Sequence, residues 1–179
     1  GPPVPVSEPL WDVLEQALAY SRETEGAFDV TVGPLVQLWG FLEGPRRVPS
    51  DEEIAQARTR VGYRKIELDP LRRTVRLATP GMVLDFGGIA KGYALDRAVE
   101  RLRQAGLRHG LLNFGGEIYA MGASDGTDQP WTLAVRHPRR PDQAWQAFQV
   151  RDMAVSTSGD YERFFVVRGR RYGHILSPW

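Results

Sequence analysis

Residues 82 to 93 read MVLDFGGIAKGY, which puts the carboxylate of Asp85, the pair Gly87-Gly88 and the amine of Lys91 within seven residues. Read as a strand, a turn and a helix start, the stretch aims backbone N–H groups at an anion, and the helix dipole adds to the attraction. Lys91 falls in the first helical turn, where a cation is disfavoured by the dipole, so a phosphate would account for it. The pattern is neither GxGxxG nor GxxxxGK[ST]. Taken alone, a tight structural turn with a solvated lysine is the simpler reading.

Leu84-Asp85-Phe86-Gly87-Gly88 recurs as Leu112-Asn113-Phe114-Gly115-Gly116. Either the likeness is chance, or two strand ends lie side by side, their glycines admitting a close approach. Gly26-Ala27-Phe28-Asp29 reads locally as a turn with a buried Phe and an Asp capping the backbone near Thr31. Thr157-Ser158-Gly159-Asp160 lacks the GxSxG elbow of a hydrolase triad. His109, His137 and His174 have no metal-ligand spacing, which argues against a zinc site. The five tryptophans read as core or rim residues, with flavin stacking by one of them as the alternative.

The elements that must hold these residues follow from periodicity. Ser7 caps a helix with Leu10, Leu14, Ala17 and Leu18 on one face, fading between Arg22 and Gly26. Pro34 suits the first turn of a short helix. Ser50 and Glu53 form a capping-box pattern for a helix to about Arg60, with Ile54, Ala57 and Val61 inward. Tyr63 to Leu68 and Thr74 to Ala78 alternate as strands around Asp69-Pro70. A helix from about Ile89 to Ala105 ends at Gly106, with Tyr93, Ala94, Ala98, Leu102 and Ala105 as its buried stripe. Further strands are expected at Leu111 to Phe114, at Trp131 to Val135, and at Phe164 to Val167 paired with Tyr172 to Leu176 across Arg168-Gly169. The segments Ala123 to Pro130 and His137 to Pro141 read as surface loops.

The chain has 179 residues, 42% hydrophobic and 25% charged, as expected of one globular domain with no internal boundary. Lys and Arg number 23 against 22 Asp and Glu, so the balance gives no whole-chain argument for nucleic acid or an anionic membrane. There are no cysteines, hence no disulfide framework or thiolate chemistry. GPPVPVSEP has neither the basic start nor the apolar middle of a secretory signal. HILSPW stops just after a strand-like run, and the chain is expected to be part of a longer protein.

Four segments occur in order: GAFDVTVGPLVQLWGF, LDFGGIAKGYALDRA, LLNFGGEIYAMG and AVSTSGDYERFFVVRGRRYGHILSPW. Together they closely resemble the ApbE family, the magnesium-dependent FAD:protein FMN transferases, over nearly the whole chain. The resemblance implies an α+β fold of mixed or antiparallel sheets flanked by helices, two-lobed, with FAD in a cleft. It implies an enzyme that splits the FAD pyrophosphate, releases AMP and attaches FMN through a phosphoester to a Thr or Ser hydroxyl of an acceptor protein. An FAD pyrophosphatase and a non-catalytic FAD-binding module are the alternatives.

The resemblance further implies FAD contacts at Ala27, Phe28, Asp29, Asp85, Lys91, His174, Ile175 and Leu176, with Asn113, Gly115 and Gly116 nearby. It implies a magnesium ligand at Gly88, through its backbone carbonyl, and names no catalytic residue. Chain before Gly1, with a flavin-contacting methionine and an aromatic residue, and acidic and hydroxyl ligands after HILSP would complete the site. Ser177 stands at a position the family usually makes acidic. The partners implied are FAD, magnesium and the acceptor flavoprotein subunit, with no nucleic acid. The implied location is the bacterial periplasm or cell envelope, either exported or tethered by a lipid anchor outside this chain, with a cytoplasmic location left open.

Overall fold

The apolar spacing that predicts a helix after Ser7 forms one in the computed structural model, which describes residues 1–159 and 163–178. In chain order the elements are β1 (Val4–Pro5), α1 (Glu8–Glu23), α2 (Gly33–Leu38), α3 (Asp51–Arg58), β2 (Ile66–Asp69), β3 (Thr74–Leu77) and α4 (Ala90–Gln104). They continue with β4 (Gly110–Phe114), β5 (Glu117–Met121), β6 (Trp131–His137), β7 (Arg140–Val150), β8 (Met153–Val155), β9 (Phe164–Val167) and β10 (Arg170–Gly173). The fold is α+β, and among the described residues every strand pairing is antiparallel. The chain divides into two compact units: residues 1–89 with the segment from Gly159 onward, and residues 90–158. Among the described residues no helix is long and apolar enough to cross a membrane.

In the first unit α1 buries Trp11, Val13, Leu14, Ala17, Leu18 and Ser21. Leu14, Ala17 and Leu18 join Val30, Tyr63, Ile66, Val75 and Met82 in one apolar core, and Phe28, Leu84 and Phe86 pack against it. Ser7 stands at the N-cap with an extended backbone but makes no side-chain cap bond. The box on α3 is complete: the Glu53 N–H donates to Ser50 Oγ, and the Ser50 N–H donates to the Glu53 carboxylate. Strand β3 lies between β1 and β2. Strand β2 begins at Ile66 rather than Tyr63, because Tyr63–Lys65 coils into a 3₁₀ turn. The Asp69 carboxylate accepts from the N–H groups of Leu71 and Arg72 at 2.9 and 3.1 Å and so shapes the β2–β3 turn.

Two expectations in this unit are corrected. Val83-Leu84 is not a strand: its neighbour Val30 sits in a 3₁₀ turn and offers one backbone bond, Asp85 N to Val30 O at 2.7 Å, not a ladder. The last hairpin is shorter than expected. Its two-residue turn, Arg168 and Gly169 at φ of 51° and 76°, locks Val167 opposite Arg170 and Phe164 opposite Gly173. His174, Ile175 and Leu176 therefore lie beyond the ladder.

In the second unit, sheet β4–β5–β8 carries α4 against β4 and β5. Helix α4 closes with Gly106 at φ 86° and bonds from Gly106 N to Arg103 O and Leu107 N to Leu102 O. Its buried residues are Leu95 and Val99; the expected stripe of Tyr93, Ala94, Ala98 and Leu102 is only half-buried, and Ala105 is exposed. Alanines are small and apolar on any face, so they steered the sequence reading around the helix from its true contact line. Hairpin β6–β7, bulged near Arg136, packs Leu133 and Val150 with Ala120 in a second core. Ala123, expected on the surface, is buried, its N–H donating to His109 Nδ1 at 2.9 Å.

Candidate functional site

The segments 28–33 and 83–88 run against each other in opposite directions, touching at three points. A Cβ on Gly33 would meet the Val83 carbonyl oxygen at 2.6 Å. Asp85 N donates to Val30 O at 2.7 Å. A Cβ on Gly88 would stand 3.1 Å from Cε2 of Phe28. Glycine at both outer contacts is what lets the two stretches lie this close.

Asp29 anchors the first segment. Its Oδ1 accepts from the Thr31 N–H at 2.8 Å and the Thr31 hydroxyl at 2.7 Å, and Oδ2 accepts from the Tyr63 N–H at 2.8 Å. Thr31, fully buried, in turn accepts from the Gly62 N–H at 2.6 Å. The local expectation of an Asp capping near Thr31 is therefore met, and the carboxylate is engaged within the fold. Phe28 is held just upstream: its N–H donates to Thr24 Oγ1 at 3.0 Å, and its half-buried ring sits edge-on to Tyr20, centroids 6.4 Å apart. Ala27 is exposed.

On the second segment Asp85 Oδ1 accepts from the Gly87 N–H at 2.8 Å. Among the described residues no donor reaches its Oδ2, so one oxygen of a half-buried carboxylate is available to a ligand. Gly87 and Gly88 are exposed. Phe28, Asp85 and Gly88 thus meet on one patch of the first unit. They combine an aromatic edge, an acceptor oxygen and an exposed peptide backbone.

His174 belongs to a different cluster of that unit. Its ring is 6.2 Å from that of Phe41, and its backbone N–H donates to Arg163 O at 3.2 Å. Trp39, Phe41, Phe165 and Tyr172 complete an aromatic group in which Phe165 stacks on Tyr172 at 5.5 Å. Ile175 is exposed and Leu176 half-buried. Trp39 is the tryptophan of this group. Trp11 is buried, Trp131 donates its indole N–H to Met121 O at 3.2 Å, Trp145 is exposed, and Trp179 lies outside the described residues, as does Asp160.

The remaining expected residues gather at one end of the second unit. Gly115 and Gly116, at φ of 57° and 93°, make the two-residue turn between β4 and β5, and Asn113 Oδ1 accepts from the Gly116 N–H at 2.9 Å. Lys91, in the first turn of α4, reaches Glu117 at the start of β5, Nζ to Oε1 3.1 Å. Glu117 was missed by the sequence reading. The signal was there, an acid directly after the Gly pair of LNFGGE, but its contact with Lys91 is tertiary. The repeated pentapeptide turns out to be two different structures. In the first copy the Asp binds the N–H two residues on, and neither glycine has positive φ; in the second the Asn binds three residues on, and both glycines do. The first copy is not a strand end, so the repeat does not mark two strand ends.

Among the described residues no three His, Cys, Asp or Glu side chains cluster to hold a metal. Gly88 and Asp85 offer oxygen donors of the kind a hard cation takes, but two such groups do not make a magnesium centre.

Comparison with known proteins adds the following. The family model described as "ApbE family" matches residues 1–179. A Haemophilus influenzae protein named FAD:protein FMN transferase is 36% identical over 182 residues, covering 98% of this chain and 52% of the relative. A Treponema pallidum protein of the same name is 36% identical over 189 residues, covering 98% and 52%. Among solved structures, the ApbE protein of Thermotoga maritima superposes with a TM-score of 0.93 at 41% identity, covering 99% of this chain and 58% of its own. The Pseudomonas stutzeri flavinyl transferase ApbE, in its apo form, gives 0.84 at 36%, covering 99% and 55%. The chain spans about half the length of the curated relatives it matches.

Proposed function

Because the chain belongs to the ApbE family, we propose that the protein of which these residues are part transfers FMN from FAD to an acceptor protein. The acceptor atom in this reading is a Thr or Ser hydroxyl, the product is a phosphoester, and AMP leaves. The observation that carries it is the antiparallel fit of residues 28–33 on residues 83–88. It presents the Phe28 edge, the free Asp85 oxygen and the Gly88 backbone on one patch, suited to an aromatic ligand bearing N–H and O–H groups.

Chemically, the reaction needs a pyrophosphate held in position and its charge offset while an alcohol attacks. Phe28 and Asp85 would bind and orient FAD, and Lys91 would supply positive charge to its phosphates. Magnesium, when bound, would neutralise the pyrophosphate. The Gly88 carbonyl is one ligand in this reading, the rest coming from the phosphates and from outside the described residues. The family resemblance also supports a place in the bacterial periplasm or cell envelope.

The test is incubation of the intact protein with FAD, magnesium and a candidate acceptor. A flavin-fluorescent acceptor band surviving a denaturing gel, with AMP released in equal amount, is expected. Release of AMP and free FMN without acceptor would replace transfer by hydrolysis. FAD binding with no turnover at saturating magnesium would leave only a binding module.

A further inference from the structure

We propose that Glu117 is a positioning residue that fixes the Lys91 ammonium for the phosphates of FAD; the inference rests on the reading that Lys91 meets those phosphates. A lysine in the first turn of a helix works against the helix dipole. The chain nevertheless places Lys91 there, as the second residue of α4, and supplies a carboxylate for it from another element.

That carboxylate is the fixed partner of the two. Glu117 opens β5 directly after the Gly115-Gly116 turn, paired with Phe114 across the hairpin, and the turn is tied by Asn113 Oδ1 to Gly116 N–H. Its side chain is 18% exposed against 49% for Lys91, so the ammonium is pinned from the protein side and open on the other. One of its three N–H donors faces Glu117 at 3.1 Å, which leaves two for anionic oxygens. A lysine side chain loses much rotamer freedom when it is immobilised. A tether already made in the free protein takes part of that cost out of ligand binding. As a plain surface ion pair the contact would contribute little to stability, so its worth lies in where it holds the charge.

The experiment measures FAD and riboflavin binding to the intact protein carrying Glu117→Ala, Glu117→Gln, Lys91→Ala, and each Glu117 variant combined with Lys91→Ala. Riboflavin shares the isoalloxazine ring but has no phosphate. Lys91→Ala should weaken FAD about tenfold or more, since a charge-assisted contact is lost. Glu117→Ala should weaken it by up to about tenfold and Glu117→Gln by about threefold, with riboflavin unchanged. Both Glu117 effects should vanish once Lys91 is already alanine. Should Glu117→Ala not fold, the Gln variant, which keeps shape and one acceptor oxygen, carries the same comparison. Equal losses for riboflavin and FAD, or losses that add to that of Lys91→Ala, would overturn the proposal and leave Glu117 a hairpin residue. A full Lys91→Ala effect with none from Glu117→Gln or Glu117→Ala would overturn it too. FAD affinity indifferent to Lys91→Ala would instead overturn the reading beneath it.

Discussion

Cε2 of Phe28 lies 3.1 Å from the point where a β-carbon on Gly88 would stand. The ring is half-buried and Gly88 is exposed, so the ring can yield by a few tenths of an ångström. Gly88→Ala should therefore cost only about 1 kcal/mol of stability while tilting the ring that the flavin reading needs. Thermal melting should change little and FAD affinity should fall. Gly88→Ala combined with Phe28→Ala should melt no lower than Phe28→Ala alone, because the crowding is gone.

Gly33→Ala meets a harder neighbour. The new Cβ would lie 2.6 Å from the backbone oxygen of Val83 and 2.8 Å from its Cβ. Backbone cannot step aside as a ring edge can. A loss of about 2–3 kcal/mol is expected, read as a lower urea midpoint, and parting the two segments should weaken FAD binding as well.

Asp29→Ala should act first on the fold. It strips the acceptor from the N–H groups of Thr31 and Tyr63 and from the Thr31 hydroxyl, in a part-buried setting. Leaving such donors unpaired costs about 2–3 kcal/mol in all. Chemical denaturation should show this with or without flavin. A variant as stable as the parent, yet unable to bind FAD, would show that Asp29 serves the ligand instead.

Asp85→Ala should behave in the opposite way. Its carboxylate accepts one internal bond, from the Gly87 N–H, so the stability loss should stay near 1 kcal/mol. FAD affinity or turnover should drop far more than that. Unchanged binding would remove Asp85 from the site.

Glu53 gives the protein an acid-sensitive corner. Hydrogen bonds from the Arg47 guanidinium, then from the Ser50 N–H, lower its pKa from 4.5 to about 2. A carboxylate whose pKa is depressed on folding stabilises the fold above its unfolded value and loses that contribution as pH falls through the folded one. The stabilisation is thus complete above about pH 5 and fades toward pH 2. The melting temperature of the parent should exceed that of Glu53→Gln at neutral pH, and the gap should close over that range. A gap constant down to pH 2 would refute the linkage.

Much of this was legible in the chain because it is local. The capping box of Ser50 and Glu53, Pro34 opening a short helix, and Gly106 closing a long one each depend on residues a few positions apart. The four ordered segments pointed to the residues of the patch. What was hidden depends on partners far along the chain. Val83-Leu84 reads as a strand, yet finds only the one carbonyl of Val30 to pair with. Strand β7 escaped notice because the adjacent apolar pairs Ala144-Trp145 and Ala147-Phe148 break the polar–apolar alternation along it. Glu117 could be assigned a purpose only once Lys91 was seen to reach it.

The opposed segments 28–33 and 83–88 also set an order of events. Between fifty and sixty residues of chain separate the touching pairs, and closing a loop of that length costs entropy before any contact repays it. Helix α1 and the β2–β3 hairpin can form from near neighbours; the patch cannot. It should be among the last features of its unit to assemble and the first to open under stress. On the proposed reading, a nascent chain would become able to hold flavin only after Gly88 has emerged, and hydrogen exchange at Asp85 N–H should report that late closure.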